Sequence, residues 1–246
     1  MITVVLVDLA AAASGLARIE QDTPRLARDE IARAAAIADA GRRRAWLAAH
    51  TALRLVLERA AGPGVRGRVF ATGAYGRPEL PVGGPVFSLS HTAGLAAIAV
   101  AARGHLGVDI EARRAVLVGV ARRDLMMAAA AALGPAPADL IDAWTRLEAV
   151  GKARGTGVGA VLEALRWDAA TSEPGAAAAM QGLVAAAGLA VHDLSVPEGY
   201  AGALAARADL GRPRLEWLPT GPDALATYAA ASNAVDLAEP TGHKGA

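Results

Sequence analysis

At 246 residues, 54% of them hydrophobic, the chain can bury a substantial core and is long enough for one large domain or two small lobes. Its formal net charge of +1, with no basic tract beyond Arg42-Arg43-Arg44, gives no ground for a nucleic-acid or membrane partner. The absence of cysteine excludes disulfides, thiolate metal sites and cysteine nucleophiles.

The opening MITVVLVDLA is too short and too soon acidic for a signal peptide, and the Ala-rich run 175–191 falls short of a spanning helix. A soluble, cytoplasmic protein is therefore expected. Of the 25 Lys and Arg residues only two are Lys, at 152 and 244. A compact ammonium at 152, in a chain that elsewhere uses guanidinium, hints at a point-charge role.

Residues 2–9 read as an opening strand rich in β-branched side chains. From about 25 to 61 the apolar spacing is helical, with breaks expected near Gly41 and at Gly62-Pro63-Gly64. The second helix carries Trp46, Leu47, Leu53, Val56 and Leu57 on its apolar side and Arg42, Arg43 and Arg44 at its start. Cations there oppose the helix dipole, which leaves two readings open: an anion nearby, or plain surface charge. A loop over 71–78 follows, in which glycines permit close backbone approach and Pro78 fixes the exit. Beside the later Ser90-His91 edge, Arg77 becomes a candidate phosphate clamp.

Residues 87–111 concentrate the polar chemistry. Phe87 and Leu89 alternate with Ser88 and Ser90 up to His91, a turn follows, and a small-residue strand leads through a second turn into Leu106-Gly107-Val108-Asp109-Ile110-Glu111. Strand alternation puts Val108 and Ile110 on the buried face, with Asp109 and Glu111 together on the other. Such a carboxylate pair is tolerated on a wet surface, met by Arg113 and Arg114, or held together by a cation.

Residues 97–107 and 201–211 are identical at 7 of 11 positions, four of them Ala, which suggests two related strand-turn-strand units. Only the first continues into the acidic pair. Between these copies, 139–154 reads as a helix closed by Gly155-Thr156-Gly157, with Trp144, Glu148 and Lys152 on one stripe. Taken alone, Glu148 and Lys152 could be an ordinary surface ion pair worth ~0.3 to 0.5 kcal/mol. No usable pattern emerges from about 219 to 246.

In order, Gly76-Arg77-Pro78, Ser90-His91, Gly107 to Glu111 and Trp144 to Lys152 form a set that resembles the 4′-phosphopantetheinyl transferases of the larger, surfactin-synthetase-activator type. The resemblance covers residues 40 to 210, roughly. It implies an α+β fold of two pseudo-symmetric lobes, 1–103 and 104–218, each a small, mostly antiparallel sheet packed on helices, with one active site in the cleft between them and a tail over 219–246. It implies a monomer that moves the phosphopantetheine arm of coenzyme A to a serine of an acyl or peptidyl carrier protein, releasing adenosine 3′,5′-bisphosphate. By the same resemblance, Asp109, Glu111 and Glu148 hold magnesium, with manganese as a substitute. Lys152 and His91 meet the pyrophosphate and join Glu148 in the catalytic set. Gly76, Arg77, Pro78 and Ser90, with Asp109, line the coenzyme cleft, and Arg42 or Arg44 meets the 3′-phosphate.

The chain departs from the family pattern twice. Leu147 stands where a Lys is usual, leaving Arg146 as the alternative cation. Residues 125–130, where many relatives carry a basic glutamate, have no carboxylate, so Glu148, Glu111 or a metal-bound water is left to take the serine proton. The adaptable Met126-Met127 pair there suggests a carrier docking surface, with plain core packing as the alternative. Two other functions compete with transfer: a catalytically impaired relative that still binds coenzyme A or a carrier, and an unrelated magnesium-dependent phosphohydrolase.

Overall fold

A computed structural model describes residues 1–73, 76–80, 84–170 and 175–231, with the backbone alone over 166–170. Its first strand, β1 (Ile2–Asp8), is buried on both faces. Val5 and Val7 face one hydrophobic cluster, while Ile2, Val4 and Leu6 face another. A strand between two apolar layers needs no polar alternation, hence the unbroken hydrophobic run in the sequence. Asp8 ends it by turning its carboxylate onto the N–H groups of Ala10 and Ala11, capping α1 (Leu9–Asp22).

Two further helices follow, α2 (Arg28–Ala35) and α3 (Ala40–Ala61). The expected break at Gly41 lies one residue inside α3, because Asp39 caps that helix by accepting from the Arg42 N–H at 2.6 Å. Gly62, at φ 83°, closes it as expected. The short pair β2 (Ala71–Thr72) and β3 (Pro78–Glu79) comes next. Ala74 and Tyr75, part of the predicted loop, lie outside the described residues. Then come β4 (Val86–His91), β5 (Leu95–Ala101) and β6 (Leu106–Ala112).

The second half continues with α4 (Val120–Ala131), α5 (Leu140–Arg154), α6 (Gly157–Ala170) and α7 (Ala176–Ala186), then β7 (Leu189–Asp193), β8 (Tyr200–Arg207), β9 (Arg214–Trp217) and α8 (Pro222–Ala230). One sheet runs β4-β5-β1-β9 and the other β6-β8-β7. Their facing surfaces share a core in which Val4, Leu6, Val108 and Ile110 meet. On the outer faces, α1 and α3 cover the first sheet, and α5 and α6 cover the second. The chain is thus a mixed α+β protein of helix, sheet, sheet and helix layers. Among the described residues no helix is long and apolar enough to cross a membrane.

One connectivity occurs twice. A strand leads through helices to a hairpin whose second strand pairs antiparallel with the first: β5 with β1 (Ile2 opposite Ala101) and β8 with β6 (Leu106 opposite Ala206). The 97–107 and 201–211 segments fall on corresponding places, a central strand and its exit. The exits diverge as the sequences do: the first becomes β6 of the second sheet, while the other becomes β9, which returns to pair parallel with β1. The stretch expected to be a patternless tail contains α8, whose Leu225 is buried against α1 beside Gly15. Residues 232–246 lie outside the described residues.

Two buried carboxylates anchor the first half. Glu58 pairs with Arg25 at 2.8 Å and with Arg66, and Glu30 pairs with Arg54 at 2.6 Å. Burial alone would raise both carboxyl pKa values. Hydrogen bonds from Arg66 and Arg25 to Glu58, and from His50, the Ala27 N–H and Arg54 to Glu30, outweigh it, so both lie below the ordinary 4.5. Groups with depressed folded pKa values contribute stability that is complete above the unfolded value and lost as pH falls through the folded one. Thermal melts should therefore be flat down to about pH 5 and fall steeply below it. Glu58→Gln should lose on the order of 3 kcal/mol at pH 7 by stranding Arg25, and be less acid-sensitive than the parent. An unchanged acid limb in that variant would remove Glu58 from this role.

Candidate functional site

The site begins where the two sheets touch. Alternation along β6 sends Asp109 away from Val108 and Ile110, as expected, but onto α5 rather than into water, and it is only 4% exposed. Its Oδ1 accepts from Ser90 Oγ at 2.8 Å and from Lys152 Nζ at 2.6 Å. Lys152 also donates to the Val108 carbonyl at 3.1 Å, and the Val108 N–H donates to Ser88 Oγ at 3.0 Å. Residues from β4, β6 and α5 are thus locked into one polar node.

Local sequence makes this approach feasible. Asp139 caps α5 through the N–H groups of Ile141 and Asp142, and Gly155, at φ 67°, ends it. Gly107 lets α5 lie directly on β6: a Cβ there would stand 2.8 Å from Lys152 Cβ and collide with the Ala149 carbonyl and the Ala153 N–H. Closeness of helix to strand is what brings the Lys152 ammonium to Asp109.

Above the node opens a cleft of about 450 Å³, floored by Ser88 to His91, with Gly76-Arg77-Pro78 on one wall, Lys152 and Gly155 on another, and His50 of α3 beside them. Arg77 is pinned by donating to the Lys152 and Phe87 carbonyls, each at 3.3 Å. His91 is exposed toward the cleft mouth. Even so, the protein around its ring displaces water, and with His50 and Lys152 nearby it titrates below the ordinary imidazole value.

Of the residues expected at a site, Gly76, Arg77, Pro78, Ser90, His91 and Lys152 therefore converge on one cleft, with Asp109 beneath them. Glu148 is half-buried one turn before Lys152, and its carboxyl is pushed up first by burial, then by the neighbouring Asp109 and, more weakly, Glu111. The three acidic groups feel one another, yet they form no ready-made cage. Among the described residues no group of three or more His, Cys, Asp or Glu side chains stands arranged to hold a metal ion. Protein cations take two of the three instead: Lys152 holds Asp109, and Arg114 holds Glu111 at 2.8 Å. Lys152 thus pairs across to the strand rather than with Glu148 on its own helix.

Arg42 and Arg44 are exposed and do not line this cleft. Arg42 shares the stripe of Trp46 and His50 but lies two turns beyond His50. Arg44 points to a separate groove between α1 and α3. Arg146 is not a cleft cation: it is 3% exposed, bonded to Asp193 at 2.6 Å and to the carbonyls of Ala130 and Pro135. Met126 is a core residue at 2% exposure, so of the two readings of Met126-Met127 the core-packing one holds at the first residue. Nearby exposed apolar side chains are instead Val116, Leu117 and Val120, ahead of α4 and at its start.

Sequence reasoning missed His50. The available signal was its position four residues after Trp46 on the inward stripe of α3, where the two rings stack at 3.6 Å. No family model matches the chain, and no curated protein matches it.

Proposed function

We propose that this chain transfers the 4′-phosphopantetheine arm of coenzyme A to a serine hydroxyl of an acyl or peptidyl carrier protein, releasing adenosine 3′,5′-bisphosphate. The observation that carries the proposal is the meeting, at one cleft, of motif blocks separated by up to 76 positions: Gly76 to Pro78, Ser90-His91, Asp109 and Lys152. The fold assigned with this activity is the two-lobed transferase fold, supported by the repeated strand-helices-hairpin order.

The donor set fits magnesium, or manganese in its place. Asp109 Oδ2 is buried without a hydrogen-bond partner among the described residues, and burial and then Asp109 push the Glu148 carboxyl up in spite of Lys152. Both are costly arrangements that a hard cation relieves, and magnesium binds through a few carboxylates together with substrate phosphates. Asp109, Glu111 and Glu148 would hold it. When bound, it supplies charge neutralisation to the diphosphate.

The chain's own residues do the rest. Arg77, His91 and Lys152 line the cleft with donors suited to a diphosphate. The serine oxygen bonds to the β-phosphorus, the bond from that phosphorus to the bridging oxygen breaks, and the bisphosphate leaves with the electron pair. Glu148 takes the serine proton: of the three carboxylates it is the one without a paired cation among the described residues.

Incubating the protein with an apo carrier, coenzyme A and magnesium should add about 340 Da to the carrier serine, read by intact mass spectrometry. A second reading, an impaired relative that binds coenzyme A without turnover, is favoured by α4, where Met126, Ala129 and Ala130 are buried and no carboxylate stands over 125–130. Coenzyme binding with no mass gain across fatty-acid, polyketide and peptide carriers would select it. Absence of both would sink the transfer proposal.

A further inference from the structure

Behind the cleft wall, Glu30 of α2 is 1% exposed and is gripped from three sides. It accepts from the Ala27 N–H and Arg54 Nε, each at 2.9 Å, and lies 3.1 Å from His50 Nδ1. Its carboxyl stays ionised well into the acid range, because those bonds outweigh burial. A carboxylate only accepts, so His50 Nδ1 must carry the proton. Trp46, stacked on the ring at 3.6 Å and 17°, fixes the plane in which that bond is made. Edge and face of the imidazole are both held, which packing alone does not require, and the ring borders the cleft.

The charged groups around His50 are Glu30 from α2, Arg54 on its own helix, His91 from β4, Lys152 from α5 and Arg77 from the turn before β3. Arg54 is spent on Glu30. The cleft-side groups are cationic or become so, which suits this wall of the cleft to an anion. An anionic oxygen at Nε2 would place the ring between two negative charges, one of them built in.

We propose that Glu30 is a positioning residue for His50, holding it as an Nδ1–H imidazole whose Nε2 faces the cleft and, on taking up a proton, donates to a phosphate oxygen of the ligand. This rests on the coenzyme reading for the identity of that ligand, and it adds a contact and a proton uptake which that reading does not contain. Affinity then falls as pH rises, because the contact needs that second proton.

Imidazole ¹⁵N spectra of the full chain, with the His50 signal identified by its loss in His50→Arg, should show the Nδ1-protonated tautomer. An Nε2–H tautomer would overturn the role of Glu30. Glu30→Gln strands the buried Arg54 charge, so the binding test uses His50. Calorimetry with coenzyme A, in two buffers of different ionisation heat, should give His50→Gln a roughly tenfold weaker affinity. His50→Arg should recover most of that loss with less proton uptake than the parent. Equal affinities of parent and His50→Gln would overturn the contact. Inorganic pyrophosphate, run in parallel, separates the two ideas. Parent binding of pyrophosphate but not coenzyme A defeats the coenzyme reading alone, and equal pyrophosphate affinities in parent and His50→Gln defeat this inference.

Discussion

Asp109→Asn should leave a folded protein whose rate of carrier modification is lower by about 10³-fold or more. The amide is nearly isosteric and can still accept from Ser90 and Lys152, which meet Oδ1 at 2.8 and 2.6 Å. Lys152, with a side chain 29% exposed, can turn its charge to water, so the structural cost is modest, about 1 to 2 kcal/mol. What vanishes is the negative charge beneath the cleft. That charge holds the ammonium in place and, through an Oδ2 without a partner among the described residues, offers a hard donor to a cation. A far-UV spectrum and melt like the parent's, with turnover collapsed, is the expected pair of results. Turnover within tenfold of the parent would show that Asp109 is a structural tether and take the magnesium assignment with it.

Gly107→Ala should act in the opposite way, through the fold first. The added methyl has no flexible neighbour to push aside, since it meets the backbone of α5 at Ala149 and Ala153 as well as Lys152 Cβ. Helix and strand must part, at about 3 to 5 kcal/mol, which for a chain of this length lowers the melting temperature on the order of 10 °C. Gly119→Ala is the matched control, because nothing lies within 4 Å of its Cβ position. Even a folded Gly107→Ala should transfer poorly, as its Lys152 is displaced from Asp109. A melt within 2 °C or so of the parent's would refute the close-approach argument.

The sequence was most legible where one short stretch determines its own geometry. Alternation in β6 placed Val108 and Ile110 inward with Asp109 opposite, and Asp139 with Gly155 marks both ends of α5. The 97–107 and 201–211 likeness corresponds to a repeated connectivity. Elements without strong local marks were harder to read: α1 interrupts its stripe with Ser14-Gly15, and α8 is defined chiefly by Leu225 docking on α1. Long-range pairing was hidden altogether. Nothing near residue 146 says that Asp193 will neutralise it, and nothing near 152 says that its ammonium prefers a strand carboxylate to Glu148 one turn away. His50 was lost for the same reason, since Glu30 lies 20 positions earlier and on another helix.

The parallel pairing of β9 with β1, Thr3 opposite Arg214 and Leu6 opposite Trp217, has a consequence for biosynthesis. During translation the edge of β1 has no neighbour on that side until residue 217 has emerged, a wait of roughly 10 to 40 s at ordinary ribosome speeds. A nascent chain in that interval presents an open, strongly apolar ribbon to whatever is nearby. Chaperone occupancy should accordingly end when the last strand is released, and shortened products stopping after β8 should aggregate rather than persist as half-size proteins.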